Sequence, residues 1–95
     1  MRGGYSIRVD LPFLRDFKKL PLEIQQKVDE CIKDLGRDPI PSVRRAHPVS
    51  PKGHKPTIFS LDITSNKSHK LTFHLEGDVA VLRRVGTHKQ IDRTP

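Results

Sequence analysis

Between His69 and Asp92 the chain alternates apolar and polar positions with a period of two. Leu71, Phe73 and Leu75 are separated by Lys70, Thr72 and His74, so a strand here has one apolar and one cationic face. Gly77-Asp78 then provides a Gly-X pair fit for a two-residue hairpin turn, because glycine accepts positive φ without strain. A second strand runs through Val85, where the apolar pattern stops and Gly86-Thr87-His88 begins. Upstream, Tyr5, Ile7 and Val9 predict a strand over residues 5–9. Asp10 offers an N-cap, and Pro12 an early helix position that needs no backbone donor. Phe13, Leu14, Phe17 and Leu20 form one stripe of a short helix, which Pro21 breaks. Ile24, Val28, Cys31, Ile32 and Leu35 recur at helical spacing in a second helix closed by Gly36.

Residues 37–56 hold five prolines and few apolar side chains, which reads as a loop. Residues 57–64 predict a strand with Phe59, Leu61 and Ile63 on one face and Ser60, Asp62 and Thr64 on the other; residues 65–68 turn the chain into the hairpin. The order is β-α-α-β-β-β, an α+β fold with a two-helix hairpin on one face of a small, mainly antiparallel sheet. Helices of this number cover one face, so the other is expected to stay wet.

Ninety-five residues make one domain over 1–95, with 34% hydrophobic positions and no Trp, so the core is modest. No run of about 18 apolar residues occurs and the N-terminus lacks a signal-peptide pattern, so a cytoplasmic setting is expected. The single cysteine, Cys31, excludes an internal disulfide and a cysteine-based zinc site, and falls among the core positions of the second helix. His69 and His74 point to opposite sides of a strand and His54 has no visible partner, so no metal is expected. The net charge of +7 changes the picture more. Residues 1–36 hold seven Lys/Arg against six Asp/Glu, whereas residues 37–95 hold eleven against five and all five histidines. A basic half of this kind suits a polyanion, because each neutralised phosphate releases counterions.

The helical segment FLRDFKKLPLEIQQKVDECIKDLGRDP, the following RRAH and above all HKLTFHLEGDVAVLRRVGTH resemble the RelE/ParE superfamily of toxin–antitoxin toxins over nearly the whole chain. The Gly-Thr-His ending is most similar to the histidine-using YafQ-type branch of ribosome-dependent mRNA endonucleases. The resemblance implies a catalytic His88, with Arg84 matching an arginine of that branch's site. Lys70 stands where RelE has an arginine, and His47 where the branch keeps another histidine. It further implies an acidic antitoxin as partner, the ribosome and mRNA as targets, and no cofactor. Three departures accompany it. The branch's His/Asp pair has no counterpart at residues 65–68, RelE's paired lysines are replaced by Ser60, Asp62 and Thr64, and Asp92 occupies the place of a base-stacking aromatic.

Metal-free RNA cleavage uses the ribose 2′-hydroxyl as nucleophile, with one group taking its proton, cations holding the phosphate and another group protonating the leaving oxygen. Histidine titrates near neutrality and serves either proton-transfer role. Lys70 and Arg84 would stabilise the developing charge. His74, Arg44, Arg45, Lys52 and Lys55 are further candidates for RNA phosphate, against ordinary solvated charge. A two-residue turn pairs Thr72 with Arg83 and puts Arg83 on the polar face; placing Arg84 there requires a longer turn or a bulge. Two other functions stand beside the nuclease: a ParE-like inhibitor of DNA gyrase, and a non-catalytic RNA-binding module.

Overall fold

The computed structural model describes residues 1–95. Strand β1 (Ser6–Val9) leads into helix α1 (Leu11–Lys18) and helix α2 (Leu22–Leu35), followed by a short 3₁₀ turn (Ser42–Arg44). Strands β2 (His47–Pro48), β3 (Phe59–Asp62), β4 (His69–Glu76) and β5 (Val79–Thr87) come next, and helix α3 (His88–Arg93) closes the chain. The sheet runs β1-β5-β4-β3-β2; β1 lies parallel to β5 and every other pair is antiparallel. The expected α+β architecture is therefore present, with one strand and one helix more than the sequence pattern predicts. Strand β2 falls inside the proline-rich loop, and α3 follows directly on the last strand.

Local chemistry explains the joints. Asp10 occupies the N-cap position of α1 but makes no side-chain cap bond, and Pro12 sits in the first turn, where a missing N–H leaves nothing unpaired. Gly36 closes α2 in a right-handed conformation, so its role there is not that of a left-handed cap. Gly77 does need positive φ, at +59°, and pairs Glu76 with Val79 across a two-residue turn.

The core lies between the helices and one sheet face. Phe13, Val28, Cys31 and Leu35 pack against Leu61, Leu71, Phe73, Ala80, Leu82 and Val85, all fully or nearly buried. Phe59 and Phe73 stack across β3 and β4 with ring centroids 5.5 Å apart. Burial pushes the Cys31 thiol up to about 12, so it is a neutral core side chain.

Residues 57–64 shorten to Phe59–Asp62 and residues 5–9 to Ser6–Val9. The larger correction concerns the second sheet face. It does not stay wet: Ser60, Asp62, Lys70, Thr72 and His74 are all buried. Helix α3 and the residues after it fold back over it, with Ile91 inserted as an apolar lid. Alternation shows that a face is polar; it does not show whether another element covers it.

Candidate functional site

Cross-strand register builds the site in rows. His47, Ser60, Thr72 and Arg84 are successive partners across β2, β3, β4 and β5, and therefore share the face opposite α1 and α2. Asp62, Lys70 and Gly86 form the next row, and His74 pairs with Val81 in a third. The register slips between Thr72 and Phe73, so that Thr72 faces Arg84 while Phe73 faces Leu82, leaving Arg83 as the extra residue of a β-bulge. The two-residue turn and the bulge thus coexist, and both arginines address the same side of the sheet. The guanidinium of Arg83 lies 3.1 Å from His74 Nδ1, and that of Arg84 reaches the Thr94 carbonyl at 3.4 Å.

Arg84 is held more firmly from the other direction. Its Nε and Nη2 donate to the two carboxylate oxygens of Asp16 on α1 at 2.6 and 3.2 Å, a bidentate pair that keeps its pKa above the ordinary arginine value. Asp16 also accepts the Val85 backbone N–H at 3.1 Å. Strand β1 pairs with β5 only as far as Leu82, so this carboxylate takes over the edge that β1 leaves free.

The Gly-Thr-His step has a physical reason. Thr87 is the N-cap of α3: its hydroxyl accepts the Gln90 N–H at 3.3 Å while its own N–H donates to Gln90 Oε1 at 3.0 Å, a complete capping box. Gln90 folds back over Gly86, where a Cβ would lie 2.6 Å from its Oε1. Glycine makes room, threonine caps, and His88 becomes the first helical residue. The His88 backbone N–H donates to the Ser68 carbonyl at 2.9 Å, pinning α3 to the turn before β4.

Its imidazole Nδ1 lies 3.2 Å from Asp92 Oδ2, one helical turn on, and Lys70 Nζ donates to Asp92 Oδ1 at 3.3 Å. Lys70 is almost enclosed, at 11% side-chain exposure, whereas His88 and Asp92 are half exposed. A cavity of about 380 Å³ opens beside this group, lined by His47, Pro48, Val49, Lys70, Ile91, Asp92 and Pro95. His47 Nδ1 donates to the Arg45 carbonyl, which leaves Nε2 with the lone pair. The structure thus brings His47, Lys70 and Asp92 to one cavity, with His88 joined to it through Asp92.

The remaining candidates divide. His74 is buried between Arg83 and Glu76, donating from Nε2 to Glu76 Oε2 at 2.9 Å, and Arg8 donates to the same carboxylate at 2.9 Å. These hydrogen bonds, His74's first, hold the Glu76 carboxyl below its usual range. Arg44 turns inward to Asp34 at 2.8 Å and to the carbonyls of Asp62 and Ile63. Arg45 lies 3.6 Å from Asp62, whose carboxylate oxygens have no hydrogen-bond partner. Lys52 and Lys55 stay exposed on the proline-rich loop, away from the cavity lining.

Sequence reasoning missed Asp92 as a bridge, Asp16 as the clamp on Arg84, and His69. His69 lines a second cavity of about 370 Å³ with Asp16, Arg84 and Gln90, and partial burial lowers its pKa. The i, i+4 spacing of His88 and Asp92 and the Thr-x-x-Gln capping signature were the available signals.

No protein-family model matches the chain, and no curated protein matches it in sequence. Solved structures do. A chain of the RelBE2 toxin–antitoxin complex from Mycobacterium tuberculosis superposes with a TM-score of 0.68 at 25% identity, over 88% of this chain and 98% of that one. The archaeal RelE–RelB complex from Pyrococcus horikoshii gives 0.69 at 10% identity, over 88% and 94%. YafQ from Escherichia coli gives 0.65 at 15% identity, over 92% and 97%. The site just described thus sits on the RelE-like toxin fold, and RelE- and YafQ-type toxins are this protein's structural neighbours.

Proposed function

We propose that this protein is the toxin of a type II toxin–antitoxin pair and acts as a ribosome-dependent mRNA endonuclease. The observation that carries the reading is the meeting of His47, Lys70 and Asp92 at one cavity on the sheet face away from the main core, with His88 beside it in contact with Asp92. A phosphodiester seated there has the Lys70 ammonium for its non-bridging oxygens, the His47 imidazole in the cavity wall and the His88 imidazole beyond Asp92. One imidazole takes the proton of the 2′-hydroxyl as that oxygen attacks phosphorus. The P–O5′ bond breaks, the other imidazole protonates the departing oxygen, and a 2′,3′-cyclic phosphate remains. Every step uses side chains alone. Expression in bacterial cells is expected to arrest growth and leave cleaved messages, and His88→Ala to relieve both. Unchanged arrest and cleavage in that variant would remove His88 from the mechanism.

An acidic antitoxin is the fitting partner. The net charge of +7 provides the attraction, and Ile7, Val9, Leu11 and Leu14 expose apolar surface at the start of the chain. Val9, Phe13, Leu14, Phe17 and Ile32 line a groove there for an apolar anchor. The neighbouring RelE and YafQ toxins are themselves found in complexes with RelB and DinJ. Association should slow as salt rises.

One observation favours a second reading, an inhibitor without nuclease activity that acts on DNA gyrase or binds RNA. Lys70, Thr72 and Arg84 already have acceptors from residues 92–95: the Asp92 carboxylate, the Pro95 carbonyl at 2.8 Å and the Thr94 carbonyl. Growth arrest with intact messages and damaged DNA would support the gyrase form.

A further inference from the structure

We infer that Asp92 is a positioning residue, the carboxylate that orients the His88 imidazole for proton transfer; the inference rests on the nuclease reading. His88 Nδ1 is the ring nitrogen that faces Asp92, with Oδ2 at 3.2 Å; a carboxylate only accepts, so a ring turn that aligns this pair into a hydrogen bond puts the proton of a neutral imidazole on Nδ1. The lone pair is then on Nε2, at the opposite side of the ring and free to meet a substrate proton. This is the arrangement in which a buried or anchored acid selects one tautomer and one ring orientation for a histidine base.

The anchoring is visible on the other oxygen. Asp92 Oδ1 accepts at 3.3 Å from Lys70, whose side chain rises from the middle of the sheet and is only 11% exposed. Asp92, although half exposed, thus has a cationic or imidazole neighbour at each of its carboxylate oxygens. Its helix is fixed at both ends of the same turn, by the Thr87–Gln90 capping box and by Ile91 buried beneath. Lys70, Asp92 and His88 form a relay of position: a sheet residue holds the carboxylate, and the carboxylate holds the imidazole.

The test has two independent readouts. Nitrogen-15 NMR of the His88 ring, recorded at alkaline pH on the full chain, is expected to show the Nδ1–H tautomer in the wild type and a mixture in Asp92→Asn, whose amide both donates and accepts. Message cleavage on ribosomes is expected to fall by at least about tenfold in turnover, part of the ~10²–10⁴-fold that a general acid or base contributes, with KM little changed. Asp92→Glu should recover part of the loss, and Asp92→Asn should add nothing in a His88→Ala background. An Nε2–H tautomer in the wild type overturns the inference, as does faster cleavage by Asp92→Asn, which would mark the carboxylate as a competitor for phosphate. A wild type that cuts no message yet shows the Nδ1–H tautomer removes the nuclease reading and the positioning role with it, while the pairing itself stands.

Discussion

Gly86→Ala is a perturbation whose sign should depend on a residue four positions away. The new Cβ meets Gln90 Oε1 at 2.6 Å, too close to persist, with the Gln90 Cδ and Cβ at ordinary distances beyond it. The obstacle is the far end of a flexible side chain, so Gln90 rotates away and the strand stays in place. What is lost is the bond from the Thr87 N–H to Gln90 Oε1, half of the capping box, worth about 0.5–1.5 kcal/mol. Set against it is the reduced freedom of the unfolded chain on replacing glycine, about 0.4–1 kcal/mol in favour of the folded state. Gly86 does not have positive φ, so no backbone strain enters. The single variant should then lie between about 0.5 kcal/mol more stable and about 1 kcal/mol less stable. In a Gln90→Ala background the bond is already absent and the space open, so the same substitution should stabilise by about 0.5 kcal/mol. Urea unfolding of the four proteins in a double-mutant cycle measures the difference, a coupling of about 1 kcal/mol. An equal cost in both backgrounds would refute the account of why glycine precedes the capping threonine.

Asp16→Ala should destabilise by about 2–3 kcal/mol in the same assay, since it strips a bidentate partner from Arg84 and an acceptor from the Val85 N–H. Glu76 has its folded pKa held below the unfolded value, so its contribution is present above the unfolded pKa and lost as pH falls through the folded one. An acid titration of unfolding should accordingly show a shallower loss in Glu76→Gln than in the wild type. Cys31, with its thiol pushed up to about 12 and no exposure, should resist alkylation in native buffer and react once urea unfolds the chain.

Much of this molecule is legible in its sequence. The period-two run from Lys70 to Leu75, the Gly77-Asp78 turn and the helical stripe from Ile24 to Leu35 each express a local rule, and each element formed. Strand β2 was not legible, because two residues containing a proline carry no period and exist only through their pairing with Phe59 and Ser60. The bulge at Arg83 is likewise a property of two strands together. Helix α3 was legible in principle from Thr87-x-x-Gln90, but six residues with one buried apolar side chain give hydrophobic periodicity little to work on. In the site, the residue types at 47, 70 and 88 were readable; that Asp92 would tie two of them together depended on a helix the pattern did not show.

The parallel pairing of β1 with β5 also sets an order of events. Ser6 finds its partner at Val79, and α1 is clamped to the same strand through Asp16 and Val85, so the first quarter of the chain docks on its last strand. Contacts this distant in sequence form late, after a long loop has closed. On the ribosome, the opening strand emerges before its partner and waits until β5 has left the exit tunnel. His88 and Asp92 are made later still. A chain that stops before residue 79 therefore lacks the strand on which β1 docks and the imidazole of His88 together, although β2, β3 and β4 already have one another as partners.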